Sequence, residues 1–225
     1  MKKVILAVLI ATVSLLMACK EENKCPENVN YGLKTLDQPS KFFFPYGKQS
    51  LTIYFKNAKK DSIKIATDNQ QYNVLTVNDT VLCGDGIDPF NSQFGFHTTE
   101  NIRHVWAGTP LNTTLNALVQ LGVENAYVKD SSYYDKMIVR MTVLGVTSGF
   151  DLILFNKGKA IDPKITALVN QFRYVGDTTW NGRNFKEVYY SLPNKVDSSA
   201  IFYNKTFGIV GLKFKDDIWV YDRVE

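Results

Sequence analysis

Two histidines, His97 and His104, are all that this 225-residue chain offers a triad or a zinc site. Their spacing fits no metal-binding helix, and no Cys-x-x-Cys pair exists to complete a zinc set. Both therefore read as surface or core residues. The sequence also lacks a nucleophile-elbow Gly-x-Ser-x-Gly, a glycine-rich phosphate loop and a thermolysin-type motif. Paired carboxylates hydrolyse glycosides without histidine, and Asp85 and Asp88 are the candidates, in Cys83-Gly84-Asp85-Gly86-Ile87-Asp88-Pro89. The same run offers oxygens to calcium, yet lacks the full EF-hand series, and Gly, Asp and Pro are turn residues. A polar turn after a strand is the favoured reading, with no metal, cofactor or catalytic residue assigned. Aromatic clusters are the other candidate for chemistry. Phe42-Phe43-Phe44-Pro45-Tyr46, Tyr133-Tyr134 and Trp106 would stack on a sugar or line an apolar pocket, although core is the usual fate of such residues.

The most reactive group by context is the thiol of Cys19. Lys2 and Lys3 precede an apolar run from Val4 to Met17. That run suits a signal-peptide core and is shorter than the ~20 residues a spanning helix needs. It ends in Leu16-Met17-Ala18-Cys19, which resembles the bacterial lipobox, where the thiol receives a diacylglycerol and cleavage leaves the cysteine first. Residues 1–18 are then a signal peptide, and Cys19 carries acyl chains, palmitate among them. Two or three such chains hold a protein on a membrane stably. Taking Lys2 and Lys3 from the 26 basic residues leaves 24 against 22 acidic, close to neutral. With no long basic run, nucleic acid is not an expected partner.

Residues 19–38 are polar, carry Pro26 and read as a lipidated tether, leaving 39–225 as a β-rich globular domain. Two packed β-units, about 40–110 and 130–225, are the alternative division. Cys25 and Cys83 survive lipidation, and in an oxidising envelope an even pair suggests a disulfide. By loop entropy such a bridge would be worth about 4 kcal/mol.

The elements that must position any site are strands. Leu51–Phe55, Ser62–Ala66, Val74–Leu82, Met137–Leu144 and Asp151–Phe155 are rich in β-formers or alternate polar with apolar. Asn181-Gly182 between the arms Phe172–Trp180 and Arg183–Ser191 is the preferred type I′ hairpin turn, since both residues accept positive φ. Ala200–Tyr203, Ile209–Phe214 and Ile218–Tyr221 continue the meander. Helix signals are few. Asp162-Pro163 would start a helix through Phe172, in competition with a strand from Ile165 to Tyr174. Thr113–Leu121 reads as a short helix stopped by Gly122, and the stretch between about 85 and 135 carries weaker strand signals. The expected fold is mainly β, an antiparallel meander or a half-barrel or sandwich, with one or two short helices.

Three resemblances bear on location. Lys20-Glu21-Glu22 resembles the lysine-plus-acidic-pair signal that sends lipoproteins of Bacteroidetes to the outer face of the outer membrane. Asn181–Tyr189, Ile201–Gly211 and Trp219, with Phe44-Pro45-Tyr46-Gly47, resemble small, mostly uncharacterised lipoproteins of the same group. Asp61-Ser62-Ile63, Asp79-Thr80-Val81 and Asp177-Thr178-Thr179 resemble their O-glycosylation acceptors, with Ser62, Thr80 and Thr178 as the sites. These patterns imply a lipid-anchored, surface-exposed β-domain and no assigned activity. A non-enzymatic module that binds an envelope partner, a small molecule or a glycan is the first expectation. A carboxylate-dependent envelope hydrolase and a half-barrel carrier of lipid or lipoprotein are the alternatives.

Overall fold

A computed structural model describes residues 27–67, 70–83, 93–125, 133–156, 159–162, 172–193, 195–196 and 198–225. The chain divides into two compact units, Met1–Asn30 with Asn78–Phe96, and Tyr31–Val77 with His97–Glu225. The described part of the first consists of 27–30 and the strand segments 78–83 and 93–96. The second holds the core and both clefts described below.

The strands are β1 (Val29–Lys34), β2 (Leu51–Lys56), β3 (Ser62–Thr67), β4 (Gln71–Cys83), β5 (Gln93–Gly108), β6 (Leu115–Asn125) and β7 (Tyr133–Val143). They continue with β8 (Val146–Asn156), β9 (Lys159–Ala160), β10 (Phe172–Trp180), β11 (Arg183–Ser191), β12 (Ala200–Asn204), β13 (Gly208–Phe214) and β14 (Asp217–Val224). Together they form one antiparallel sheet in the order β10-β11-β12-β13-β14-β2-β3-β5-β6-β7-β8-β9, with β1 and β4 also on β5. The expected mainly-β class holds. β14 sits in mid-sheet, pairing with β2 from Val220↔Lys56 to Val224↔Ile53, and the Thr52 and Glu225 backbones exchange hydrogen bonds beyond it.

Period-two alternation sets the inner face. In β7, Asp135, Met137, Val139, Met141 and Val143 are buried between half-buried neighbours, and β3 buries Ile63, Ile65 and Thr67 in the same way. The sheet curls so that β7 and β8 lie against β11 and β12. Ser148 Oγ bonds the Ser199 carbonyl at 3.0 Å, and Phe150 meets Phe172 at 5.4 Å across that interior. The inner cluster runs from Ile53 and Phe55 through Trp106 and Val119 to Tyr203, Leu212 and Trp219. Each large side chain taken fully out of water there contributes about 1.5–3 kcal/mol.

One helix reading is overturned. Thr113–Leu121 is not helical: Leu115, Ala117, Val119, Leu121 and Val123 all face inward on β6. Apolar residues at 115, 118, 119 and 121 satisfy both periods, and ladders to β5 and β7 on either side decide for the strand. Gly122 stops nothing; it lies opposite Asn101, where a Cβ would strike the asparagine side chain. The middle stretch read as weak carries β5 and β6, and the sheet runs unbroken from β5 to β7. The second helix candidate, 163–171, lies outside the described residues. The one α-helix among the described residues is α1 (Gln38–Lys41), with Pro39 in its first turn, where the missing N–H costs nothing. Within the segment read as tether, Val29–Lys34 forms β1 and Leu36 is buried.

The Asn181-Gly182 turn forms as its sequence predicts, with φ of +49° and +77°. The space beside Gly182 is empty. Gly182→Ala should therefore cost only the left-handed conformation, about 1–2 kcal/mol. Urea unfolding should show a lower midpoint at unchanged slope; a loss well beyond this range would mean the turn bears more than its own strain.

Candidate functional site

Of the residues singled out by sequence, Cys19, Lys20, Glu21, Glu22, Cys25, Asp85 and Asp88 lie outside the described residues. No disulfide is seen among the described residues; Cys83 closes β4. Ser62 is exposed at the start of β3, Thr80 lies in β4, and Thr178 is half-buried in β10. His97 Nδ1 lies 2.6 Å from Tyr133 Oη, and its ring is 5.4 Å from that of Tyr31. No group of three or more metal-ligating side chains occurs among the described residues, nor any helix long and apolar enough to cross a membrane.

The aromatic candidates Phe44, Tyr46 and Trp106 are core, while Phe42 is three-quarters exposed. Phe44 and Tyr46 belong to a segment, 36–47, that inserts into the concave face of the sheet like a plug. Side chains rather than a ladder hold it. Glu100 of β5 accepts from Leu36 N at 2.8 Å and pairs with Lys41 at 3.2 Å. Asp135 of β7 accepts from Asp37 N at 2.9 Å. Ile209 N donates to Tyr46 Oη at 2.6 Å, and Tyr203 Oη donates to the Phe43 carbonyl. Burial pushes the Tyr46 phenol well above its usual range and raises the Asp135 carboxyl. The two buried carboxylates are therefore occupied as clasps for backbone N–H groups. That use explains acidic residues inside a β-domain without invoking acid–base chemistry.

His104, fully buried on β5, stacks between Trp106 (5.1 Å) and Phe44 (5.7 Å). Its Nε2 is 2.9 Å from the Gly47 carbonyl, which only accepts, so Nε2 carries the proton; Nδ1 has no partner among the described residues. Burial lowers its pKa. An unfolded imidazole, with an ordinary pKa near 6.5, binds its proton first as pH falls. Stability is then fully present above the unfolded pKa and is lost as pH falls through the lowered folded value. Asp135, with a raised pKa, has the opposite sign. The urea midpoint should therefore fall between about pH 7 and pH 5, and His104→Gln, which keeps an N–H for Gly47, should flatten that slope. An identical slope in the variant would assign the acid sensitivity to another group.

The open concavity of the second unit lies on the outer face. Gly176, at φ +75°, sits between two register shifts of the β10–β11 pair, and β11 meets β12 only at Tyr189↔Tyr203 and Tyr190↔Phe202. A bulge bends its strand and increases the twist. The hairpin tip accordingly lies over β14 and β2. Asn181 Nδ2 donates to the Lys56 carbonyl at 3.1 Å, Arg183 donates to the Tyr221 carbonyl at 2.8 Å and to that of Asp222, and its guanidinium lies 5.6 Å from the Tyr221 ring. Beneath the tip a second core forms from Phe185, Val188, Ala200, Phe202, Val210 and Val220. This is why β12 is buried along its whole length and β13 nearly so.

At the seam of tip and sheet lies a cleft of about 360 Å³, lined by Ala58, Trp180, Asn181, Asp217, Ile218 and Val220, together with Thr179. Val220 is buried at its floor, Trp180 is half-buried in its wall, and Ile218 is exposed. Trp180 is fixed from behind by Phe202 at 4.9 Å, edge to face, and by Phe185 at 5.8 Å. A smaller crevice of about 150 Å³ lies where the plug ends, among Tyr46, Leu51, Ile53, Phe207, Tyr221 and Val224. Sequence reasoning found the hairpin but not the cleft. A tryptophan immediately before an Asn-Gly turn was the available sign, since a turn residue need not be so large. No protein-family profile, curated protein or solved structure matches the chain.

Proposed function

We propose that this chain is a lipid-anchored, surface-exposed, non-enzymatic ligand-binding β-domain, and that the cleft beneath the β10–β11 hairpin is its site. One observation carries the reading: the cleft is a preformed hollow with an aromatic wall, and the hairpin that builds it is tied down through Asn181 and Arg183. A volume of about 360 Å³ falls in the lower part of the range for small-molecule sites, about 300–1,000 Å³. The hydrolase alternative gains nothing from the two buried carboxylates, since Glu100 and Asp135 hold backbone amides, and its own candidates Asp85 and Asp88 lie outside the described residues. The carrier alternative needs an apolar hollow within the curl, and Leu36, Phe44, Tyr46 and Trp106 pack there.

The indole N–H resonances of the full chain test the site. A mixture of small soluble fragments should shift the Trp180 resonance and leave those of buried Trp106 and Trp219 in place. Shifts confined to other residues would remove the cleft from consideration. Turnover of esters, phosphates and glycans that disappears with one point variant would overturn the non-enzymatic reading. For location, Cys19→Ser should abolish membrane retention, and alanine at Lys20, Glu21 and Glu22 should protect the protein from protease added to intact cells. Equal protection of the parent protein would place it on the periplasmic face.

A further inference from the structure

We infer that β4 is a self-association edge: it pairs antiparallel with β4 of a second copy, giving a two-fold dimer. The inference is independent of the cleft. β4 runs along β5, where Arg103 Nε donates to Gln71 Oε1 and Thr99 Oγ1 donates to the Leu75 carbonyl. β6 takes the other edge of β5 from Asn101 on, so β4 continues the edge that β3 occupies at Ala66↔Ala107. β2 covers the outer side of β3 only as far as Leu51↔Thr67. Beyond that point no described strand lies against the outer side of β4. Gln71 to Thr76 are all exposed, whichever face they point to, with Tyr72, Val74 and Leu75 among them.

Such an edge is a template for another strand, and sheets whose edges stay single blunt them with bulges, charges or shortness. The other edge strands carry these devices. β9 is two residues long. β10 has the bulge at Gly176 and exposed Arg173 and Asp177. β1 is interrupted at Gly32, φ +105°, and ends in Lys34. β4 has none of them. Over its 13 residues it holds no proline, glycine, lysine or arginine, and Asp79 is its one charged residue.

The chain itself supplies the occupant. An antiparallel pair of identical edges is isologous, so it satisfies both edges at once and stops at two copies. A foreign strand would have to bring a bare edge of its own. β2 then selects the register. With the two-fold axis at Leu75, the second copy's Cys83 would meet Thr67, where Leu51 already pairs. With the axis at Val77, Gln71 lies opposite Cys83, and the whole strand joins the ladder clear of β2. That register sets no like charges opposite one another, because each Asp79 lies across from Leu75. It also places β-branched Val77 against itself and Val74 against Thr80, pairs that favour a sheet.

The test is sedimentation of the full chain over a wide range of concentration, which should show a monomer–dimer equilibrium. Val77→Lys and Val77→Glu each set like charges face to face at the axis and should weaken the dimer about tenfold. An equimolar mixture of the two variants sets lysine opposite glutamate and should recover a dimer near the parental strength. A folding defect would not be cured by mixing, and thermal unfolding of each variant checks the fold directly. A parent chain that stays monomeric throughout would overturn the inference. So would a dimer indifferent to both substitutions, or one that mixing fails to recover. A monomer that instead takes up an extended peptide of unrelated sequence would keep β4 as a docking edge and overturn the second copy as its occupant.

Discussion

Gly208→Ala should destabilise the protein by about 2–5 kcal/mol. Gly208 opens β13 at φ +79°, where a side chain costs about 1–2 kcal/mol by itself. The added Cβ would also fall on the hydroxyl and ring of Tyr46. Tyr46 has little room to retreat. Its hydroxyl accepts from Ile209 N, and its ring packs against Trp106 at 4.6 Å and His104 at 5.6 Å. Overpacking of this kind adds about 1–3 kcal/mol to the conformational cost. Gly145→Ala is the internal control: its φ is +83° and nothing lies near its missing Cβ, so it should pay the conformational cost alone. The difference in urea midpoints between the two variants measures the clash. Equal losses would show that the plug yields to accommodate the methyl group.

The second large effect is expected at Glu100. Glu100→Ala removes the acceptor of Leu36 N and the ionic partner of Lys41 at one stroke. A buried donor left unpaired costs about 1–3 kcal/mol, and Leu36 N lies in the buried part of the plug. Lys41 remains partly exposed and recovers water, so its share is small. The total should be about 2–3 kcal/mol, spread unevenly along the chain. Hydrogen exchange should accelerate in residues 36–47 before it does so in β6, β7 or β13, because the clasp holds the plug and not the ladders. Uniform acceleration would mean that plug and sheet open as one cooperative unit. Glu100→Gln, which keeps an acceptor for Leu36 N, should recover most of the loss.

What the sequence discloses and withholds follows from where each interaction is encoded. The hairpin at Asn181-Gly182 and the strands β10 to β14 are local features, fixed by turn chemistry and period-two alternation, and the structure reproduces them closely. β6 misleads because Leu115, Leu118, Val119 and Leu121 satisfy helix and strand periods alike, and only the neighbours β5 and β7 settle the matter. The plug is hidden for a related reason. Its residues up to 38 read as tether, and Phe42-Phe43-Phe44-Pro45-Tyr46 reads as an aromatic cluster with core as its usual fate, but no spacing says which face receives it. Its polar anchors Glu100 and Asp135 are far along the chain, and nothing local marks them as partners. The cleft is the least legible element. It exists because the bulge at Gly176 turns the hairpin over the outer face, and a bulge leaves only a glycine as its trace. Trp180 then becomes a wall through its contact to Phe202, on a strand whose approach no spacing announces.

The pairing of β14 with β2 has a kinetic meaning. These two neighbours come from opposite ends of the described chain, and they close the sheet at its middle, not at an edge. A ribosome or a translocon delivers β2 early and β14 late. Until then β2 presents an unpaired edge beside β3, and β13 another beside β12, two templates for strand addition by any neighbouring chain. Long-range closure of this kind makes for slow folding, since the loop entropy is spent before the contacts that reward it are made. The nascent chain thus passes through a stage in which half the sheet exists without its keystone, and shielding those edges falls to chaperones that hold it in that interval.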